Sequence, residues 1–147
     1  MRKYGNYSVP VRFGDITSVD FHWYLDTSHG ADYFRRWHRL VECSGSLWVH
    51  KASHHFDLLN WWIDSDPESV YALGSLDHYG KNGTFRAENC RTCPHTSKCK
   101  FFFDITKKKN LMNLYVANEK YDGYLRDGCV FKNDVNIFDK NGGNDSL

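Results

Sequence analysis

Between residues 16 and 25 apolar and polar positions alternate: Val19, Phe21, Trp23 and Leu25 are apolar where Ser18, Asp20, His22 and Tyr24 are polar. A period of two sends successive side chains to opposite faces, so this segment predicts a half-buried strand. Residues 26–39, DTSHGADYFRRWHR, open on turn formers and close on aromatic and basic side chains, which predicts a loop leading into a short helix. From Ser46 the period becomes helical. A helix is predicted from Ser46, whose hydroxyl can cap free backbone N–H groups, to about Ile63, before Asp64, Ser65, Asp66 and Pro67 break it. At 100° per residue Trp48, Ala52, Phe56, Leu59 and Ile63 gather on one side, the predicted core face.

Further on, Ser69 to Leu73 reads as a second strand, and Tyr79 to Gly83 as a turn by its glycines and asparagine. The stretch from Leu111 to Ala117 fits a short helix or a strand equally. Residues 121–128 are turn-rich, Cys129 to Phe131 read as a short strand, and the NGGNDSL tail, residues 141–147, is polar and glycine-rich enough to be expected loose and flexible. No internal repeat is visible. Together these elements predict one α+β domain over residues 1–147, a mainly antiparallel open sheet with one long helix, residues 46–63, packed on a face through Trp48, Phe56 and Leu59.

Size and charge narrow the partners. A chain of 147 residues, 41% apolar and 16% aromatic, is long enough for one core and short for two. The 19 Lys and Arg against 18 Asp and Glu leave a net charge of +1 with neither half strongly basic, so nucleic acid is not an expected partner. Residues 1–20 hold no apolar run of signal-peptide length, and no stretch is long enough to span a bilayer, which leads us to expect a cytoplasmic protein with no membrane contact.

Three groups of residues carry candidate chemistry. On the side of the predicted helix opposite its core face stand His50, His54, Asp57 and Trp61, at offsets of four, seven and eleven residues, within one narrow stripe. Neutral imidazoles one turn apart can face one ligand and accept a proton, and Asp57 can orient the pair; histidines so spaced on a solvated face can equally do nothing. The H-x-x-x-H spacing also suits zinc, but the glutamate of the zinc-protease motif is missing, residues 51–53 being Lys51, Ala52 and Ser53. The second group is Cys90, Cys93 and Cys99, a C-x2-C-x5-C pattern in a polar, turn-forming segment where apolar packing does not explain three clustered cysteines. Zinc there needs a fourth ligand, for which Cys129, His95 and Cys43 are candidates; plain thiols of a reducing compartment are the other reading. The third group is the run from Tyr33 to Arg39, where Arg35, Arg36, His38 and Arg39 interleave with aromatics, a composition suited to hydroxyl-rich or anionic ligands or to an anchored surface turn.

The segments SVDFHWYLDTSHGADYFRRWHR, SGSLWVHKASHHFDLLNWW and YLRDGCVFKNDV resemble the C-terminal domain of the glucose–fructose oxidoreductase, inositol dehydrogenase and related (Gfo/Idh/MocA) family, over roughly residues 14–139. That family carries a helix with the pattern G-G-G-x-x-x-D-x-G-x-H-x-x-D. Placed through Asp57, its His falls on His54 and its Asp on His50; Gly45 survives from the glycine triplet, between Ser44 and Ser46, and Ala52 replaces the later glycine. The resemblance implies His54 as general base, His50 as its substrate-orienting or proton-sharing partner, and Tyr33, Arg39 and Asp57 as substrate contacts. It also favours Cys129 as the partner of Cys90, Cys93 and Cys99.

What the resemblance implies is half of an NAD- or NADP-dependent oxidoreductase acting on a sugar, polyol or cyclitol hydroxyl. No G-x-G-x-x-G turn follows any predicted strand and the family's Glu-Lys-Pro motif is absent, so the nicotinamide cofactor is expected on a dinucleotide-binding domain outside this chain. The chain is accordingly expected to be a substrate-side fragment, inactive alone, with an incomplete sheet that favours homo-oligomers through its face. The competing expectation is a non-catalytic, zinc-stabilised binding or oligomerisation module.

Overall fold

The computed structural model describes residues 16–146. Residues 1–15 and Leu147, which belong to the single-domain and loose-tail expectations, lie outside the described residues. Helix α1, Thr27–Arg35, starts where the Asp26 carboxylate accepts from the backbone N–H groups of Ser28 at 2.9 Å and His29 at 3.3 Å, a cap that satisfies two orphan donors of the first turn. Its Gly30, Ala31, Phe34 and Arg35 are buried, the spacing of one helical face. Phe34 stacks on Tyr79 with ring centroids 4.0 Å apart, and around this pair gather Cys129, Val130, Phe131, Val135 and Ile137. The core therefore lies between α1 and the irregular chain that follows Tyr79 and Cys129, and from the predicted long helix Leu47 packs against it, partly buried.

That helix forms in two pieces. After a 3-10 turn at Trp37–Arg39 and the short α2, Val41–Ser44, the chain passes through Gly45 (φ 66°) and Ser46 (φ 73°), both in the left-handed region. Glycine holds that conformation freely; Ser46 costs on the order of 1 kcal/mol there and stands where the family pattern carries glycine. The Ser46 hydroxyl accepts from the N–H of Trp48 at 3.3 Å, the expected cap, and α3 spans Ser46–His50. Then both Lys51 and Ala52 donate to the Leu47 carbonyl, at 3.0 and 2.8 Å, and α4 begins at Ser53 and runs to Ile63. One carbonyl serving residues four and five places on is a one-residue slip, which turns the following helix face by about 100°. Trp48 and Phe56 still stack, at 5.9 Å, but no residue of α4 is fully buried, because the slip divides the apolar face expected to be continuous.

The sheet is also smaller than expected. Among the described residues it is one antiparallel pair, β1 (Ser69–Ser75) with β2 (Lys140–Ser146), in the register Ser69↔Ser146 to Ser75↔Lys140. The architecture is α+β, with the short helices α5, Lys109–Leu114, and α6, Glu119–Asp122, in the second half. Three expectations need correction. Residues 16–25 are irregular instead of a strand, with Val19 and Trp23 exposed, because no described strand pairs with them. Cys129 to Phe131 form turn structure beside a single bridge between Asn89 and Gly128. The tail expected to be loose forms β2, since ladder pairing uses backbone groups that polar sequence does not remove. The Asp139 carboxylate steers the chain leaving β1, accepting from the N–H groups of Asp77, His78 and Tyr79 at 2.9, 2.7 and 2.9 Å.

Gly128 stands against backbone: a Cβ there would lie 2.6 Å from the backbone oxygen of Arg35. Gly128→Ala is therefore expected to destabilise the fold by roughly 2 kcal/mol or more. Gly142→Ala, whose added Cβ meets nothing within 4 Å, is expected to stay within about 0.5 kcal/mol. Urea denaturation of the two variants checks this, and equal losses would contradict the packing at Gly128.

Candidate functional site

The outer face of α1, the 3-10 turn and the end of α3 bring imidazoles and aromatic rings together. Tyr33 on α1 lies 5.6 Å from both His38 and His50, edge-on to each, with its hydroxyl 3.5 Å from the Nε2 of His29. His38 stacks on Trp37 at 3.7 Å and stands 4.3 Å from His50. It is 6% exposed, and its Nδ1 is buried with no hydrogen-bond partner. Burial, reinforced by the neighbouring His50 and Arg36, pushes its pKa down from 6.5 to about 4. The result is a neutral imidazole held between rings beside a second imidazole, His50, that remains half-buried.

The predicted site residues separate into two groups. Tyr33 and His50 meet in this cluster. His54 and Asp57 sit exposed on α4, beyond the slip at residues 51–52, so the expected single stripe of His50, His54, Asp57 and Trp61 is interrupted. His55, one place after His54, packs its ring against Phe21 at 5.3 Å and Trp23 at 4.7 Å, and burial lowers its pKa. Arg39 is occupied structurally: its Nε and Nη2 donate to the Asp134 carboxylate at 2.8 to 3.1 Å, which holds that carboxyl below its ordinary value. His38 belongs to the Tyr33–Arg39 run read from the sequence as a candidate group, whereas His29 was not singled out, although His29, Tyr33 and Trp37 recur every four residues, a spacing that would have flagged the face.

A second assembly surrounds the thiols. Cys90, Cys93, Cys99 and Cys129 line one cavity of about 10 Å³ together with Arg35, Phe85 and Phe101. Two loops form it: the N–H of Cys90 donates to the Asp127 carbonyl at 2.8 Å and that of Cys129 to the Glu88 carbonyl at 3.2 Å. The Arg35 guanidinium, 4% exposed, donates to the Cys90 Sγ and the Gly128 carbonyl at 3.0 Å each and to the Phe101 carbonyl at 2.6 Å. Burial pushes the Cys99 thiol up, the backbone amide of Phe101 opposes this, and Cys90, Cys129 and Cys93 add to the rise. Cys43 lies apart and exposed, and His95 packs its ring on Phe85 at 4.9 Å. All five thiols are free, and among the described residues no group of three or more His, Cys, Asp or Glu side chains is arranged to hold a metal ion. The four cysteines expected as zinc ligands thus share a cavity, without a formed ion cage among the described residues.

The burial of His38 has a sign. Its folded pKa lies below the unfolded value, so its neutral form supports the fold above pH 6.5 and that support is lost as pH falls toward about 4. At about 1.4 kcal/mol per pH unit this reaches roughly 3 kcal/mol. Denaturation midpoints between pH 7 and pH 4.5 should fall less steeply in His38→Phe than in the unchanged protein; identical slopes would place the proton uptake elsewhere.

A family model described as "Oxidoreductase family, C-terminal alpha/beta domain" matches residues 11–122. A protein of Bacillus subtilis (strain 168) named "Putative oxidoreductase YteT" is 37% identical over 141 aligned residues, covering 87% of this chain and 33% of that protein. The chain thus spans about a third of the length of the curated relative it matches. No solved structure matches. Both likenesses are to oxidoreductases, which does not favour the reading as a non-catalytic module.

Proposed function

Because the chain belongs to the Gfo/Idh/MocA oxidoreductase family, as its C-terminal α/β domain, we propose that it forms the substrate-side half of an enzyme oxidising a hydroxyl of a sugar, polyol or cyclitol. The observation that carries this reading is the junction of α3 and α4, where the half-buried His50 is packed among Tyr33, Trp37 and His38 while His54, just past the slip, stays exposed. Removing hydride from an H–C–OH carbon requires a group that takes the hydroxyl proton. His54 is the accessible imidazole for that step. His50, with Tyr33, orients the neighbouring hydroxyls, and Asp57 is the further polar contact on α4. Arg39, committed to Asp134, acts by fixing the turn and not by touching substrate.

NAD or NADP is the hydride acceptor in this proposal, but the residues of this chain do not fit a dinucleotide. Neither described strand leads into a glycine-rich helix start: β1 ends at Ser75, ahead of a 3-10 turn at Gly80–Asn82, and β2 ends the described residues. The cofactor is therefore assigned to a separate domain. The exposed Val70, Tyr71 and Leu73 of β1 support contact with a further copy or domain on that ribbon. No helix of the described residues is long and apolar enough to cross a membrane.

Joined to a nicotinamide-binding domain, the protein is expected to reduce NAD(P) with a cyclic or open polyol, and His54→Ala to lower kcat by about 100-fold or more. Turnover retained within about threefold would remove His54 as the base. A parallel His50→Gln variant should raise KM more than it lowers kcat, as expected of an orienting contact.

A further inference from the structure

The four-thiol cavity serves none of the chemistry above, and we infer that Cys90, Cys93, Cys99 and Cys129 form a binding site for a thiophilic divalent cation, zinc, that ties the loop at residues 88–101 to the turn at residues 127–131. This inference is independent of the oxidoreductase reading. Three observations support it.

The first is convergence: cysteines in a C-x2-C-x5-C segment and one roughly thirty positions later line the same small cavity, whereas Cys43 stays outside and exposed. The second is the surroundings of three of the sulfurs. The N–H of His95 donates to the Cys93 Sγ at 3.4 Å, the N–H of Phe131 to the Cys129 Sγ at 3.4 Å, and Arg35 donates to the Cys90 Sγ at 3.0 Å. Two of those donors are the amide two residues after the cysteine. Thiols that only pack as small hydrophobes do not need a donor each; sulfurs that become thiolates do, and outer hydrogen bonds of this kind orient metal ligands. The third is need. Between Gly83 and Ile105 the chain has a single 3-10 turn, Thr96–Lys98, and is anchored by the buried Cys90 with the partly buried Phe85 and Phe101, so no regular backbone ladder holds it. A bound ion supplies the missing cross-link.

The charge balances locally. Zinc displaces four protons from the four thiols to solvent, leaving a centre of net charge −2, against which the Arg35 guanidinium and two backbone N–H groups are already aimed. Because no ion cage stands formed among the described residues, binding must draw the sulfurs inward to about 2.3 Å from the ion, a movement of side chains about the cavity they already line.

The test uses the reduced chain, freed of metal and titrated with cobalt and then zinc. Expected are about one cobalt per chain with the intense visible bands of a tetrahedral thiolate site, displaced by zinc. Thiol counting with a chromogenic disulfide should find all five cysteines reactive without metal and Cys43 alone with zinc, reversed by chelation. Cys93→Ser and Cys129→Ser should each weaken zinc about 100-fold or more, and Cys43→Ser should leave it unchanged. If a serine variant does not fold, the cobalt spectrum and thiol protection of the unchanged chain decide. Five thiols still reactive with zinc present, a cobalt spectrum of octahedral type, or a disulfide among the four that forms in air despite zinc would each overturn the inference.

Discussion

Arg35 leaves the last turn of α1 pointing into the protein. Its guanidinium gives up water for the Gly128 carbonyl, the Phe101 carbonyl and the Cys90 sulfur, lies over the Phe103 ring at 5.3 Å, and keeps only a loose ion pair with Asp32 at 3.7 Å. Burying such a charge costs several kcal/mol on an order-of-magnitude scale, offset only when its donors are all used. Here they reach three separate stretches of chain that share no regular element. Gly128 follows from this arrangement, because the backbone oxygen of Arg35 occupies the space a side chain would need. Neighbouring pairs extend the same frame: Arg126 reaches Asp32 at 2.7 Å, and Arg91 holds the wholly buried Asp127 at 2.9 Å.

With one side of α1 tied down in this way, its other side is free to present Tyr33 to the imidazoles. The 3-10 turn follows within two residues, so Trp37 and His38 are carried to the same place, and the left-handed pair Gly45 and Ser46 folds α3 back so that His50 joins them. Core and candidate site are thus two faces of one short helix. The thiol cavity lies on the Arg35 side and the imidazole cluster on the Tyr33 side, which explains why they are chemically separate although only two residues part their anchors on α1.

Local punctuation was legible in the sequence. The Ser46 cap, the strand from Ser69 and the turn at Gly80 all appear where residue chemistry placed them, since each depends on neighbours a few positions away. Alternation at residues 16–25 misled because a period of two describes a strand only when another strand accepts it; instead Phe21 and Trp23 pack on His55. Helical periodicity from Trp48 to Ile63 could not register a slip in which two amides share the Leu47 carbonyl, and that single event divides the histidine stripe. The cysteine spacing was visible, but the donor to the Cys90 sulfur is Arg35, fifty-five positions away, which no local pattern reveals.

Amide hydrogen exchange in Arg35→Met, a variant that keeps apolar bulk and deletes the donors, bears most directly on the role given to this guanidinium. The account predicts that the amides of Cys90, Phe102 and Cys129 lose protection together while those paired between β1 and β2 keep theirs. Unchanged protection at Cys90 and Cys129 would contradict it.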